Sequence, residues 1–62
     1  MGQNNLEYRV VHIVKQGEEN AIKELELAVS RFLEDGWKTT GGIALYKDLD
    51  LNYHLYQAIV KI

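Results

Sequence analysis

The chain has 62 residues and no cysteine, which leaves room for one small domain near the lower limit of self-supporting size and closes the disulfide route to extra stability. Association between subunits is then the expected source of additional burial. The formal net charge of −2 and a charged fraction of 26% carry no basic excess to meet phosphates or an anionic membrane, which disfavours nucleic acid and membrane surfaces as partners.

Residues 1–6 are polar and expected to be frayed. They lack the cationic start and apolar stretch of a secretory signal, and no apolar run elsewhere reaches membrane-spanning length, so a cytoplasmic location is expected. The first element is Tyr8-Arg9-Val10-Val11-His12-Ile13-Val14, β-branched and apolar at both consecutive and alternate positions, which reads as a strand greasy on both faces. Polar residues around Gly17 break it, and Asn20 is placed to cap a helix running from about Ala21 to Glu34. Along that helix Ile22, Leu25, Val29, Phe32 and Leu33 form one apolar stripe, with Leu27 off it. Gly36 is the expected left-handed residue that ends the helix, and Trp37 begins the second strand.

That strand carries Gly41-Gly42 in its middle, where glycine marks a bulge, a bend or the close approach of another backbone or ligand. After Ile43-Ala44-Leu45-Tyr46, the polar stretch Lys47–Asn52 predicts a hairpin loop, and Tyr53–Ile62 predicts a third strand. A strand, a returning helix and two further strands give a βαββ two-layer α+β unit. The third strand is its most apolar segment, and placing it centrally yields a three-stranded antiparallel sheet of order 1-3-2.

Gly36-Trp37, the Gly41-Gly42 pair and Tyr56-Gln57-Ala58-Ile59-Val60-Lys61, set behind a helix with Leu25, Val29 and Leu33, resemble an uncharacterised family of short bacterial and phage proteins with a domain of unknown function. The resemblance spans the chain from Tyr8 onward. Asp35 stands where that family often has glutamate, and Ile59 where methionine is common. The resemblance implies the small α+β fold and brings no catalytic residues.

Chemistry-bearing constellations are sparse. His12 and His54 fall on strands expected to pair, but zinc sites need three or four ligands and no carboxylate has strand-compatible spacing beside both, so no metal and no cofactor is assigned. Ser30 lies on the polar side of the helix, away from either histidine, and no nucleophile elbow exists. Glu24, Glu26, Glu34 and Asp35 follow the solvated helix surface and do not face each other across a cleft. Asp48-x-Asp50-x-Asn52 lacks the glycine and distal glutamate of a calcium loop. No enzymatic activity is expected. Tyr8, Trp37, Tyr46, Tyr53 and Tyr56 offer rings for base stacking, with only Arg9, Lys38, Lys47 and Lys61 as accompanying cations; packing in the core and at its rim is the favoured reading.

One helix covers only one face of the sheet. Tyr56, Ala58 and Val60 are expected to point toward the helix together with Val11 and Ile13. Leu55, Gln57 and Ile59 are expected on the open face with Tyr8, Val10, His12 and Val14. An open face this apolar calls for a cover. The sequence therefore reads as a non-enzymatic binding module that forms a homo-oligomer and docks on another protein. Contacts are expected from His12, Leu55, Gln57 and Ile59 on the open face, and from Thr39, Thr40, Gly41 and Gly42 at an edge or cleft. The alternative is a binder of a small nucleotide-like ligand in pockets between subunits.

Overall fold

The computed structural model describes residues 6–62; of the stretch expected to be frayed, residues 1–5 lie outside them. Four elements follow in order: β1 (Glu7–Gln16), α1 (Glu18–Glu34), β2 (Lys38–Lys47) and β3 (Asn52–Lys61). The sheet has the order β1-β3-β2, with β3 antiparallel to both neighbours. The predicted βαββ α+β architecture is therefore the observed one, with each strand one or two residues off its predicted ends.

Helix α1 begins one turn earlier than its polarity pattern indicates. Gly17, not Asn20, is the N-cap; its φ of 86° turns the chain sharply out of β1, and Glu18 and Glu19 then occupy the first turn, where the helix dipole favours acidic side chains. Asn20 donates back to the Gln16 carbonyl at 3.3 Å, so its side chain braces the turn without accepting a helix N–H. The C-terminus is as expected. Gly36, at φ 95°, donates to the Leu33 carbonyl, and Trp37 N–H donates to the Phe32 carbonyl at 2.9 Å, the paired bonds of a Schellman ending. The apolar contact that accompanies this ending is an edge-to-face pair between Phe32 and Trp37, 5.8 Å between ring centroids. Arg9 and Lys61 lie over the indole ring, leaving Trp37 buried.

The core comprises Val11, Ala21, Leu25, Trp37, Leu55 and Ile59, with Ile13, Ala28, Val29, Phe32 and Tyr53 packed around it. The helix therefore faces the sheet along the line Ala21, Leu25, Ala28, Phe32, while Ile22 and Leu33, assigned to the stripe from spacing alone, are largely exposed. The structure also corrects the faces of β3. Leu55, Gln57 and Ile59 point toward the helix and are buried, whereas Tyr56, Ala58 and Val60 lie on the open face. The register shows why: Val11 opposes Gln57 and Ile13 opposes Leu55, and residues directly opposite in a sheet share a face. Assigning Val11 and Ile13 to the helix side therefore forces Leu55, Gln57 and Ile59 there as well.

The β2–β3 connection is a three-residue hairpin loop. Leu51 N–H donates to the Asp48 carbonyl and Asp48 N–H to the Asn52 carbonyl, while the Asp48 carboxylate accepts from the N–H groups of Asp50 and Asn52. Leu51 has a φ of 66°, the left-handed conformation this loop demands and a leucine resists. Because Leu51 is mostly exposed, Leu51→Gly loses little burial and should raise stability by about 0.5–1 kcal/mol, the left-handed penalty less the entropy glycine adds to the unfolded chain. Urea unfolding checks this: the midpoint should rise at constant slope, and a fall would show that the side chain holds the loop.

Candidate functional site

The open face is assembled by register. Tyr8, Val10, His12 and Val14 of β1 stand beside Val60, Ala58, Tyr56 and His54 of β3, and these beside Lys38, Thr40, Ala44 and Tyr46 of β2. Tyr8 is 65% exposed, Val10 53% and Tyr46 54%. Lys38 at one end and Asp48 just past the other end of β2 are the charges that border this surface.

A row of rings crosses the face. Tyr46 tilts against His54 with centroids 4.8 Å apart, His54 meets His12 edge to edge at 5.3 Å, and His12 stacks on Tyr56 at 4.4 Å with planes 7° apart. A hydrogen-bonded chain runs through it. Asp48 Oδ2 lies 2.9 Å from His54 Nε2, and His54 Nδ1 lies 3.1 Å from His12 Nε2. A carboxylate only accepts, so His54 Nε2 carries the hydrogen; in the neutral ring Nδ1 then holds a lone pair that accepts from His12 Nε2–H. The His54 hydrogen bond, followed by the Asn52 N–H, holds the Asp48 carboxyl below its ordinary value. Since folding favours the charged carboxylate, this stabilisation is complete above the ordinary carboxylate range and is lost as pH falls through the lowered folded-state value.

The pairing of the two histidine-bearing strands was legible in the sequence; the carboxylate beside His54 was not. Its signal is a hairpin diagonal. Tyr46 opposes His54, and stepping two residues past Tyr46 reaches Asp48 on the same side, within reach of the ring. Among the described residues no group of three or more His, Cys, Asp and Glu side chains is arranged to hold a metal ion.

The remaining predicted contact residues separate. Thr39, Thr40, Gly41 and Gly42 lie exposed on the edge strand β2, as expected, and a bulge between Thr40 and Ile43 interrupts the register there, with Gly41 at φ 75°. Thr39 opposes Ile59 and Thr40 opposes Ala58, so the two hydroxyls leave the strand on opposite faces. Gln57 is only 6% exposed. Its Nε2 donates toward the carbonyls of Thr40 and Gly41 at the bulge, both at 3.3 Å, and toward that of Ala58 at 2.9 Å. Gln57 thus supports the edge from beneath and does not face a partner on the open side. Beside it a shallow apolar groove, lined by Leu25, Val29, Ile43 and Gln57, separates the helix from β2.

No helix among the described residues is long and apolar enough to cross a membrane. Comparison of the chain with protein-family models, with curated proteins and with solved structures finds no match.

Proposed function

We propose that this chain is a non-enzymatic binding module that self-associates through the open face of its sheet. The observation that carries the reading is that face: Tyr8, Val10, Val14 and Tyr46 stand exposed along edge strands whose opposite side is turned to the helix. Three strands about 4.8 Å apart and ten residues long at about 3.3 Å each present roughly 470 Å² in projection. Side-chain relief raises the accessible area toward the roughly 800 Å² per partner of a stable interface.

A second copy suits this surface better than other occupants. A nucleic acid or an anionic bilayer needs a field of cations, and the strands place only Lys38 on this side. With Lys38 and Asp48 at opposite ends, two copies related by a two-fold axis across the strands set each lysine toward the other's aspartate, so the face is self-complementary. The radius of gyration points the same way: 13.5 Å against about 11 Å for a compact chain of this length. A lone protomer is drawn out and buries little.

Sedimentation velocity at micromolar concentration should show a dimer. Val10→Lys, which buries an unpaired charge in the interface, should weaken association about 30-fold or more, equivalent to ~2 kcal/mol, with the circular dichroism spectrum retained. Leu27→Lys, on an exposed part of the helix, should leave the dimer intact. A monomeric wild type, or a Val10→Lys variant that dimerises normally, would overturn the proposal.

A further inference from the structure

The histidine pair does more than fill an apolar face. We propose that in the free protomer His12 Nε2 and His54 Nδ1 together chelate a first-row transition-metal dication, in competition with pairing through the same face, with Asp48 as the positioning residue and the outward coordination positions open to water.

Three observations on the open face support the site. The first is spacing. The two nitrogens stand 3.1 Å apart, between the separation of neighbouring ligands around a square-planar ion, about 2.9 Å, and around a tetrahedral one, about 3.4 Å, for metal–nitrogen bonds of about 2.0–2.1 Å. An ion seated to the solvent side of the line joining them meets both once each ring nitrogen swings about 40° off that line, which replaces the hydrogen bond between them. His12 is exposed, and its swing shifts it against Tyr56, on which it stacks.

The second is tautomer. Asp48 Oδ2 accepts the Nε2–H of His54 at 2.9 Å, which obliges the neutral ring to keep its lone pair on Nδ1, the atom turned toward His12. This is the carboxylate–histidine–metal arrangement in which an outer carboxylate fixes ring orientation and strengthens the donor. Asp48 is itself held by the N–H groups of Asp50 and Asn52 on its other oxygen. On metal binding the His12 hydrogen moves from Nε2 to Nδ1, so the ring stays neutral and no proton need leave the protein.

The third is support. His12 and His54 belong to adjacent paired strands, with Tyr56 stacked on His12 and Tyr46 tilted against His54. Both donors are thus carried on the sheet and not on a loop. Two imidazoles without a third protein ligand make an exchangeable site, and divalent copper, at the top of the affinity order for nitrogen donors, is the ion it should hold most tightly.

The test is titration of the full, untagged chain with copper(II) chloride, read by calorimetry and by the nitrogen hyperfine pattern of the electron paramagnetic resonance spectrum. A single ion bound by two imidazole nitrogens is expected. His12→Ala should lower affinity at least about tenfold, through loss of the chelate; because His12 is exposed, this variant keeps the fold, as circular dichroism should confirm. Asp48→Asn preserves the acceptor oxygen for the loop N–H groups but turns an amide N–H₂ toward His54, reversing the favoured tautomer, and should weaken binding about 10–100-fold. Wild-type affinity in both His12→Ala and His54→Ala, or a spectrum without two imidazole nitrogens, would overturn the site. Because pairing covers this face, the titration is repeated on Val10→Lys, in which the face is free, and the dimer is measured separately in the presence of a chelator; absence of binding in both proteins overturns the site and leaves the self-association reading standing.

Discussion

Trp37→Ala should leave the chain unfolded at room temperature. Trp37 is buried between the edge of Phe32 and the cations of Arg9 and Lys61. It is also the residue whose N–H closes the C-terminus of α1 on the Phe32 carbonyl. The backbone bond survives the substitution, but the apolar lock that sets the angle between α1 and β2 does not. Truncating a buried tryptophan to alanine costs about 3–5 kcal/mol, and a core of this size supplies hardly more than about 3–5 kcal/mol in total. Far-UV circular dichroism and a thermal melt decide it: the helical signal and the cooperative transition should both disappear. Trp37→Phe, which keeps an aromatic edge against Phe32, should retain a transition at lowered temperature. A Trp37→Ala variant that melts within a few degrees of wild type would show that the helix is held by other contacts.

The second large effect is expected at Gln57. Its side-chain amide lies beneath the glycine bulge and serves the Thr40 and Gly41 carbonyls. Gln57→Ala removes the donor and deepens the groove along Leu25, Val29 and Ile43. The expected loss is about 2–3 kcal/mol. Gln57→Glu is close to isosteric but presents a carboxylate to carbonyl oxygens in a buried setting, so at neutral pH it should lose more than the alanine variant, and recover part of that loss as acidification protonates it. Urea midpoints for the three proteins, compared at neutral and mildly acidic pH, test the order. Equal stability of wild type and Gln57→Ala would mean that the bulge needs no support from β3.

These two residues mark how far the sequence was legible. Gly36-Trp37 announced the helix end because only a glycine takes the left-handed turn without strain, and the following ring then has one place to pack. The central position of β3 followed from its being the most apolar strand, which is most protected with a neighbour on each side. Gln57 was misplaced for a specific reason. Leu55, Gln57 and Ile59 on one side, and Tyr56, Ala58 and Val60 on the other, carry nearly the same hydrophobicity, so alternation alone gives no sign of which set faces the helix. Turning small Ala58 toward the helix to give it room puts Gln57 on the open face, whereas its amide is needed inside by carbonyls of a different strand.

The candidate site divides in the same way. Pairing the strands that bear His12 and His54 needs only the element order, since both strands are unmistakable from their β-branched and aromatic runs. Bringing Asp48 to His54 needs the hairpin loop, whose closure depends on hydrogen bonds and on a left-handed Leu51 that no sequence preference indicates.

By itself the sequence determined the elements, their order in the sheet and the presence of more apolar strand surface than one helix can cover, because periodicity, glycine and capping chemistry are local and act within a few residues. The tertiary structure alone decided which side of β3 faces inward and which polar groups meet across strands. Register is a property of paired strands, and a shift of one residue exchanges every inward side chain for its neighbour.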